Sequence, residues 1–300
     1  MTQENPFQKA ETIKKRPKII LFGPEGSEKT RFSLSLPSPV TVDMEKGTTL
    51  YGSDFDFHVI HTVDPTVVMD SAYWLLTNEH KYKTLIIDPI TIYWSALQKK
   101  WQDILLEREK KSPGFKFEYY RLQPSDWGLV KGELKKLIRI ITMLDMNVVV
   151  TAHQKKMYSD NEGEFMKVIG DTFDGEKSLP YMFDIVLRTY KEGTKCMAEC
   201  LKDRTNKLPQ KFKLSYSVIS EAFGDDIERE SVPIDMITDE QIEEISTAVV
   251  EFKIDDMKLK RSLSKYGTSK LAELTKEDAN TIIEIFNQKR KERDAKSKLG

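Results

Sequence analysis

Residues 18–30 read KIILFGPEGSEKT, Lys18 through Thr30. Ile19 to Phe22 form a short continuous apolar run, which predicts a buried strand, and a helix is expected to begin near Lys29. A glycine-containing loop between a strand and a helix is the setting in which backbone N–H groups can cradle phosphate. A lysine then reaches the terminal phosphates and a hydroxyl serves Mg²⁺. Gly23, Lys29 and Thr30 stand at the spacing this requires. The predicted binding loop for ATP and Mg²⁺ is therefore Gly23, Pro24, Glu25, Gly26, Ser27, Glu28, Lys29 and Thr30, with Arg31 next to it, and Lys29 also takes a catalytic role.

One position departs from the pattern. Glycine is expected before the lysine, because the backbone there approaches the phosphates closely, and the residue present is Glu28. Its carboxylate adds bulk and a negative charge that would face anionic oxygens. Gly26 relieves backbone strain without removing that charge. Two readings stay open: Glu28 turns to solvent and binding survives, or the site is silenced. The expectation is residual binding with impaired hydrolysis, relieved by Glu28→Gly.

Further along, short β-branched runs alternate with helical stretches. The runs are VTVDM (40–44), HVIHT (58–62), TLIID (84–88), NVVVTAH (147–153), DIVLRTY (184–190), KCMAECL (195–201) and KFKLSY (211–216), with helices predicted near 65–78, 91–110 and 126–145. Near-continuous apolar strands separated by helices predict an α/β fold, its sheet mostly parallel and covered on both faces. The last three runs follow one another through short turns and predict an antiparallel extension at one edge. Asp88 ends an apolar strand, where an aspartate can organise the Mg²⁺ shell, but Pro89 rather than a glutamate follows it. The general base is therefore assigned to Glu45, at the end of the strand after the loop helix. His153 and Gln154 form a polar pair at a strand tip, with Gln154 the predicted sensor of the γ-phosphate. His58, His61 and His80 read as structural.

The whole composition sets limits on this. The chain has 300 residues, 39% apolar and 32% charged, with 14 Phe, 11 Tyr and 4 Trp, which excludes a wholly disordered polymer. No apolar run approaches the roughly 20 residues that span a bilayer, and the first residues are polar, so a cytoplasmic protein without a membrane partner is expected. Cys196 and Cys200, four apart on one strand face, read as free thiols rather than a metal site. Net charge is −1, so any nucleic-acid binding must come from local basic stretches. One is the arm with Lys9, Lys14, Lys15, Arg16 and Lys18; another is the tail from Lys289 to Lys298. A third candidate surface is the segment Lys110 to Arg121, where Tyr119, Tyr120 and Arg121 are offered to stack on bases. Lys155 and Lys156 open the long segment 155–180, read as an irregular loop.

After Ser231 the strands stop. Thr238 with Gln241 predicts a capping box, with Ile242, Ile245, Val249 and Phe252 on one face. A second helix is predicted over 255–266, ending at Gly267, and a third opens with Thr275 and Asp278. The expected organisation is a basic arm (1–17), a nucleotide-binding domain (18–223), a linker (224–234), a helical module (235–288) and a basic tail (289–300).

The segments VTVDMEKGT, TLIIDPIT, VVVTAHQKK and CLKDRTNKLP, in this order behind the phosphate loop, resemble a RecA-like core. They are most similar to phage-encoded RecA-like P-loop proteins of the Sak-type single-strand annealing group, over about residues 17–216. The resemblance implies a RecA-like P-loop NTPase core with an antiparallel edge extension. It implies phosphate and Mg²⁺ binding by Lys29 and Thr30, Glu45 as base, Asp88 at the metal and Gln154 as sensor. Lys202 and Arg204 are similar to the Lys-x-Arg pair with which RecA-like ring proteins reach a neighbour's ATP. Two cations at i and i+2 on a strand also face the same way, as a bidentate phosphate grip needs. The implied partners are single-stranded DNA, further copies of the chain with ATP at their interfaces, and a single-strand-binding protein. The expected function is thus a DNA-stimulated ATPase of phage recombination or replication, in the host cytoplasm, with turnover weakened by Glu28. A hydrolysis-deficient loader is the alternative reading, and a nucleotide kinase a further one.

Overall fold

The computed structural model describes residues 16–112, 119–158, 167–266 and 268–297. It divides into one compact unit that ends at Val232 and another that begins at Pro233.

In chain order the first unit comprises β1 (Lys18–Gly23), α1 (Lys29–Leu34), β2 (Pro39–Asp43), β3 (His58–His61), α2 (Pro65–Thr77), β4 (Thr84–Asp88) and α3 (Ile90–Glu109). It continues through α4 (Trp127–Met143), β5 (Asn147–Tyr158), β6 (Val168–Phe173), α5 (Leu179–Met182), β7 (Ile185–Glu192), β8 (Lys195–Asp203), β9 (Lys211–Lys213) and α6 (Tyr216–Phe223). The sheet order is β3-β2-β4-β5-β1-β7-β8-β9, with β6 paired to the far half of β5. From β3 to β7 every pairing along that path is parallel, and β8 and β9 then run antiparallel. The mostly parallel α/β sheet with an antiparallel edge is therefore as expected. Its centre is dry: β1 and β4 are buried at every residue, and Val148, Val149 and Val150 of β5 are fully enclosed. Such strands read as unbroken apolar runs because both faces are covered. Helix α4 covers one face with Val130, Leu134, Leu137, Ile138 and Ile141, spaced for a single helical stripe. The parallel order brings the C-terminal ends of β1, β2, β4 and β5 to one rim, where such sheets bind ligands.

Five expectations need correction. The strand KFKLSY stops at Lys213, and Tyr216 opens α6 instead. Tyr216, Ile219 and Phe223 are spaced i, i+3, i+7 and pack into the apolar cluster below β1 and β7. Strand β7 is parallel to β1, so the antiparallel extension begins one strand later than predicted. The supposed loop 155–180 is largely a hairpin: β5 runs on to Tyr158 and pairs with β6, the intervening 159–166 lying outside the described residues. Two residues of the basic arm are not solvated. Arg16 is buried and donates to the carbonyls of Arg229, Glu230 and Lys83, and Lys18 Nζ donates to the Leu144 and Met146 carbonyls at 2.7 and 2.5 Å. Lys9, Lys14 and Lys15 lie outside the described residues. Gly224–Ile227, assigned to the linker, is a 3-10 turn that buries Ile227 in the same apolar cluster.

The second unit contains α7 (Asp239–Glu251), α8 (Asp256–Leu263) and α9 (Lys276–Ser297). The Thr238–Gln241 capping box is present in both directions. Ile245, Ala248, Leu263, Leu274, Ala279 and Phe286 form its core. In the basic tail, Arg290 and Arg293 both pair with Glu251 of α7, at 2.7 and 2.8 Å, so these two cations fasten α9 to α7. Gly267 lies outside the described residues.

Candidate nucleotide site

The phosphate loop is shaped from below by β7. The Ser27 and Thr189 hydroxyls share a hydrogen bond of 2.7 Å, and Ser27 Oγ also donates to the Pro24 carbonyl. A Cβ on Gly23 would stand 2.0 Å from Thr189 Oγ1 and 2.5 Å from the Thr189 carbonyl oxygen, so the residue is glycine because β7 passes directly behind it. Gly26 has φ +69°, the left-handed region in which side chains are strained. Glu28 has φ +60° and ψ 29° at the start of α1. The preference for glycine at this point is thus met as a backbone conformation that Glu28 adopts under strain of roughly 1 kcal/mol. Glu28 is exposed, and its carboxylate approaches the Cys196 thiol. The charges felt most by Lys29 are those of Asp88, Glu45 and Glu25.

Lys29 Nζ donates to the carbonyls of Gly23 and Pro24, at 2.9 Å each, inside the loop. Burial lowers its pKa, opposed by Asp88, Glu45 and Glu25. Thr30 Oγ1 donates to Asp88 Oδ2 at 2.6 Å, and Thr151 of β5 donates to Asp88 Oδ1. Burial pushes the Asp88 carboxyl up; the two hydroxyls pull it down, and Asp43 and Glu45 push it up again. A buried carboxylate among other acids, touching the hydroxyl that follows the loop lysine, is a donor set suited to a hard divalent cation such as Mg²⁺.

Glu45 lies on a turn built by Asp43. The Asp43 carboxylate accepts the N–H groups of Glu45, Gly47 and Thr48 and the Thr48 hydroxyl, between 2.6 and 3.3 Å. Burial raises its pKa, but these bonds and the nearby His61 outweigh it and leave the carboxyl below its ordinary value. Glu45 Oε1 lies 3.0 Å from His153 Nε2. The His153 N–H donates to Thr91 Oγ1, and its carbonyl accepts from Asp174 N, which links the β5 tip to the β5–β6 hairpin. Gly23, Pro24, Glu25, Gly26, Glu28, Lys29, Thr30, Glu45, Tyr51, Asp88, Pro89, His153 and Gln154 surround one cavity of about 760 Å³.

A family model described as an AAA domain matches residues 15–212, about two-thirds of the chain and including every residue around this cavity. The chain belongs to the AAA_24 family. No curated relative matches it. Among solved structures, the crystal structure of the RadB recombinase is similar at 15% identity and a TM-score of 0.37, covering 66% of this chain and 86% of that one. Residues beyond 212, and so the whole helical unit, lie outside the matched AAA domain.

Within the AAA domain, the other residues selected from sequence fall elsewhere. Ser27 faces Thr189, so it shapes the loop without lining the cavity. Arg31 points away, paired with Asp54 at 2.8 Å and stacked over the Phe55 ring. Lys202 Nζ donates to the Pro180 and Phe183 carbonyls and Arg204 to that of Tyr181, so within the chain both hold the end of α5 and neither reaches the cavity. Lys155 pairs with Asp174 at 2.9 Å and Lys156 with Asp171 at 2.8 Å, across the hairpin. Tyr120 donates to Asp126 before α4, while exposed Tyr119 stacks with Arg121. Phe115, Lys116 and Phe117 are outside the described residues. No cluster of three or more His, Cys, Asp or Glu suited to a metal occurs among the described residues, and Cys196 and Cys200 are free. No described helix is long and apolar enough to cross a membrane.

Sequence reasoning missed Asp43, Tyr51, Thr151 and Thr189. Asp43 had a signal, an aspartate four residues before Gly47 and five before Thr48 in a turn-rich stretch. Thr151 had a weaker one, as the hydroxyl ending an all-valine run. Tyr51 and Thr189 have none, because their positions depend on which strands become neighbours.

Proposed function

We propose that the protein binds ATP with Mg²⁺ in this cavity and hydrolyses it in response to single-stranded DNA, working as a homo-oligomer in phage recombination or replication. What carries the reading is the convergence on one cavity of the Lys29 ammonium, the Thr30–Asp88 pair and the Glu45–His153 pair. Lys29 holds the terminal phosphates. Thr30 and Asp88 hold Mg²⁺, which neutralises phosphate charge when bound. Glu45 orients the attacking water, and Gln154 with His153 relays phosphate occupancy to the hairpin. The hydrolysis-deficient reading draws on the same cavity, with Glu28 in the loop as the residue that abolishes turnover. Turnover measured with and without single-stranded DNA separates the two: stimulation supports the ATPase, and nucleotide binding without turnover supports the loader.

The hairpin and the Tyr119–Arg121 segment are the proposed DNA surface. Lys155 and Lys156 meet phosphate only by leaving Asp174 and Asp171. Replacing both aspartates with asparagine should therefore tighten single-strand binding and steepen its log–log salt slope by about 1.4, at roughly 0.7 per phosphate contact. Replacing both lysines with alanine should flatten the slope, and Tyr119→Ala should cost about 1–3 kcal/mol of affinity with the slope unchanged. Fluorescence anisotropy with an oligonucleotide over a salt series checks all three. Unaltered slopes in both charge variants would move the DNA site to the basic tail.

In the oligomer, Lys202 and Arg204 serve the neighbouring subunit's nucleotide after releasing the α5 carbonyls. Arg204→Ala should then lower turnover in the assembled protein with nucleotide binding retained.

A further inference from the structure

Strand β7 presents alternate residues to the underside of the phosphate loop. Thr189 is one, touching Ser27 and the space behind Gly23; Lys191, two residues on, projects from the same face. Its ammonium lies 3.5 Å from where a Cβ on Gly26 would stand, and the side chain is exposed. Lys191 is also directly opposite Cys196 in the β7–β8 ladder. The Cys196 thiol is pushed up chiefly by burial and then by Glu28, while Lys191 pulls it down, so the carboxylate and the ammonium flank one thiol at the edge of the loop. The unusual acid and an unassigned cation thus occupy the same side of the phosphate cradle.

We infer that Lys191 is a second phosphate-binding cation, supplied by the same chain from β7 to the polyphosphate of a nucleoside di- or triphosphate at Gly26, and that it offsets the charge of Glu28. This rests on the nucleotide-binding reading above. Glu28 is compatible with an anionic ligand because its carboxylate is turned towards Cys196, which Lys191 faces across the β7–β8 ladder, and the cation beside Gly26 returns the charge that Glu28 subtracts. Lys202 and Arg204, the cations selected from sequence, do not provide this within the chain.

The test is ADP affinity by calorimetry for the full chain and its variants, with thermal melting to confirm folding. Lys191→Ala should weaken ADP binding about 10-fold, the size expected for one charged hydrogen bond to phosphate, and Lys191→Arg should stay near the parent. Lys195→Ala, an exposed lysine at the other end of the same hairpin turn, should have no effect. In the Lys191→Ala background, Glu28→Gly should restore most of the lost affinity, because compensation matters only while the acid is present. Parental affinity in Lys191→Ala, or an equal loss in Lys195→Ala, overturns the inference. So does the absence of any gain from Glu28→Gly in that background. A parent that binds no ADP would instead refute the nucleotide site itself.

Discussion

Glu45→Gln is expected to lower the rate of ATP hydrolysis by roughly two to four orders of magnitude, the range associated with loss of a general base. The substitution keeps the shape of the side chain and its contact with His153, and removes only the ability to accept a proton. Its anchoring is independent of the carboxylate: the Glu45 N–H is fixed by Asp43, whose four accepted hydrogen bonds define the turn. Nucleotide affinity should therefore stay within about threefold of the parent, since uniform binding is untouched. Steady-state turnover and equilibrium titration on one preparation measure both. Unchanged turnover with intact binding would remove Glu45 from the mechanism. Asp43→Ala offers the complementary case, expected to lower turnover by displacing the turn while Glu45 itself remains.

Gly23→Ala should be the most damaging single methyl in the domain. Its Cβ would lie 2.0 Å from the Thr189 hydroxyl, which can rotate, and 2.5 Å from the Thr189 carbonyl oxygen, which belongs to a strand paired on both sides. Either β1 and β7 part or the loop rises out of register. Overpacking of this kind costs about 1–3 kcal/mol and sits here at the upper end, and nucleotide binding should be lost with the loop geometry. Gly26→Ala is the contrast: it meets only the end of Lys191 at 3.5 Å, and its penalty is the left-handed backbone, roughly 1 kcal/mol. Urea unfolding of the two variants should rank them in that order, and equal losses would contradict the role given to β7.

Much of this was legible in the sequence because the deciding features are local. The apolar runs at 18–23, 84–88 and 147–153 have only one comfortable environment, the middle of a covered parallel sheet. The phosphate loop declares itself by spacing within eight residues. Glu45 and Asp88 are found because each ends such a strand. What stayed hidden depends on long-range neighbours. That β7 lies beside β1, bringing Thr189 and Lys191 under the loop, follows from strand order and from no spacing. The pairing of Lys155 and Lys156 with Asp174 and Asp171 required a hairpin register, and without it a basic start to a long segment reads as a loop. For Lys202 and Arg204 the spacing alone leaves the partner open. Their i, i+2 spacing gives them a shared direction, yet within the chain the partners in that direction are the carbonyls ending α5, 180–183. For Glu28 the sequence left open whether the charge faces phosphate or turns away, and the side chain approaches Cys196.

Titration of Mg²⁺·ATP into the full chain and into Lys29→Ala asks most directly whether the cavity at the ends of β1, β2, β4 and β5 is a nucleotide site. Among the described residues Lys29 forms no ion pair and donates to the two loop carbonyls, so its removal should leave stability nearly unchanged. Saturable one-to-one binding by the parent, weakened roughly 100-fold in the variant by loss of a charged phosphate contact, is the predicted result. No saturable binding by the parent, or equal binding by both proteins, would contradict it.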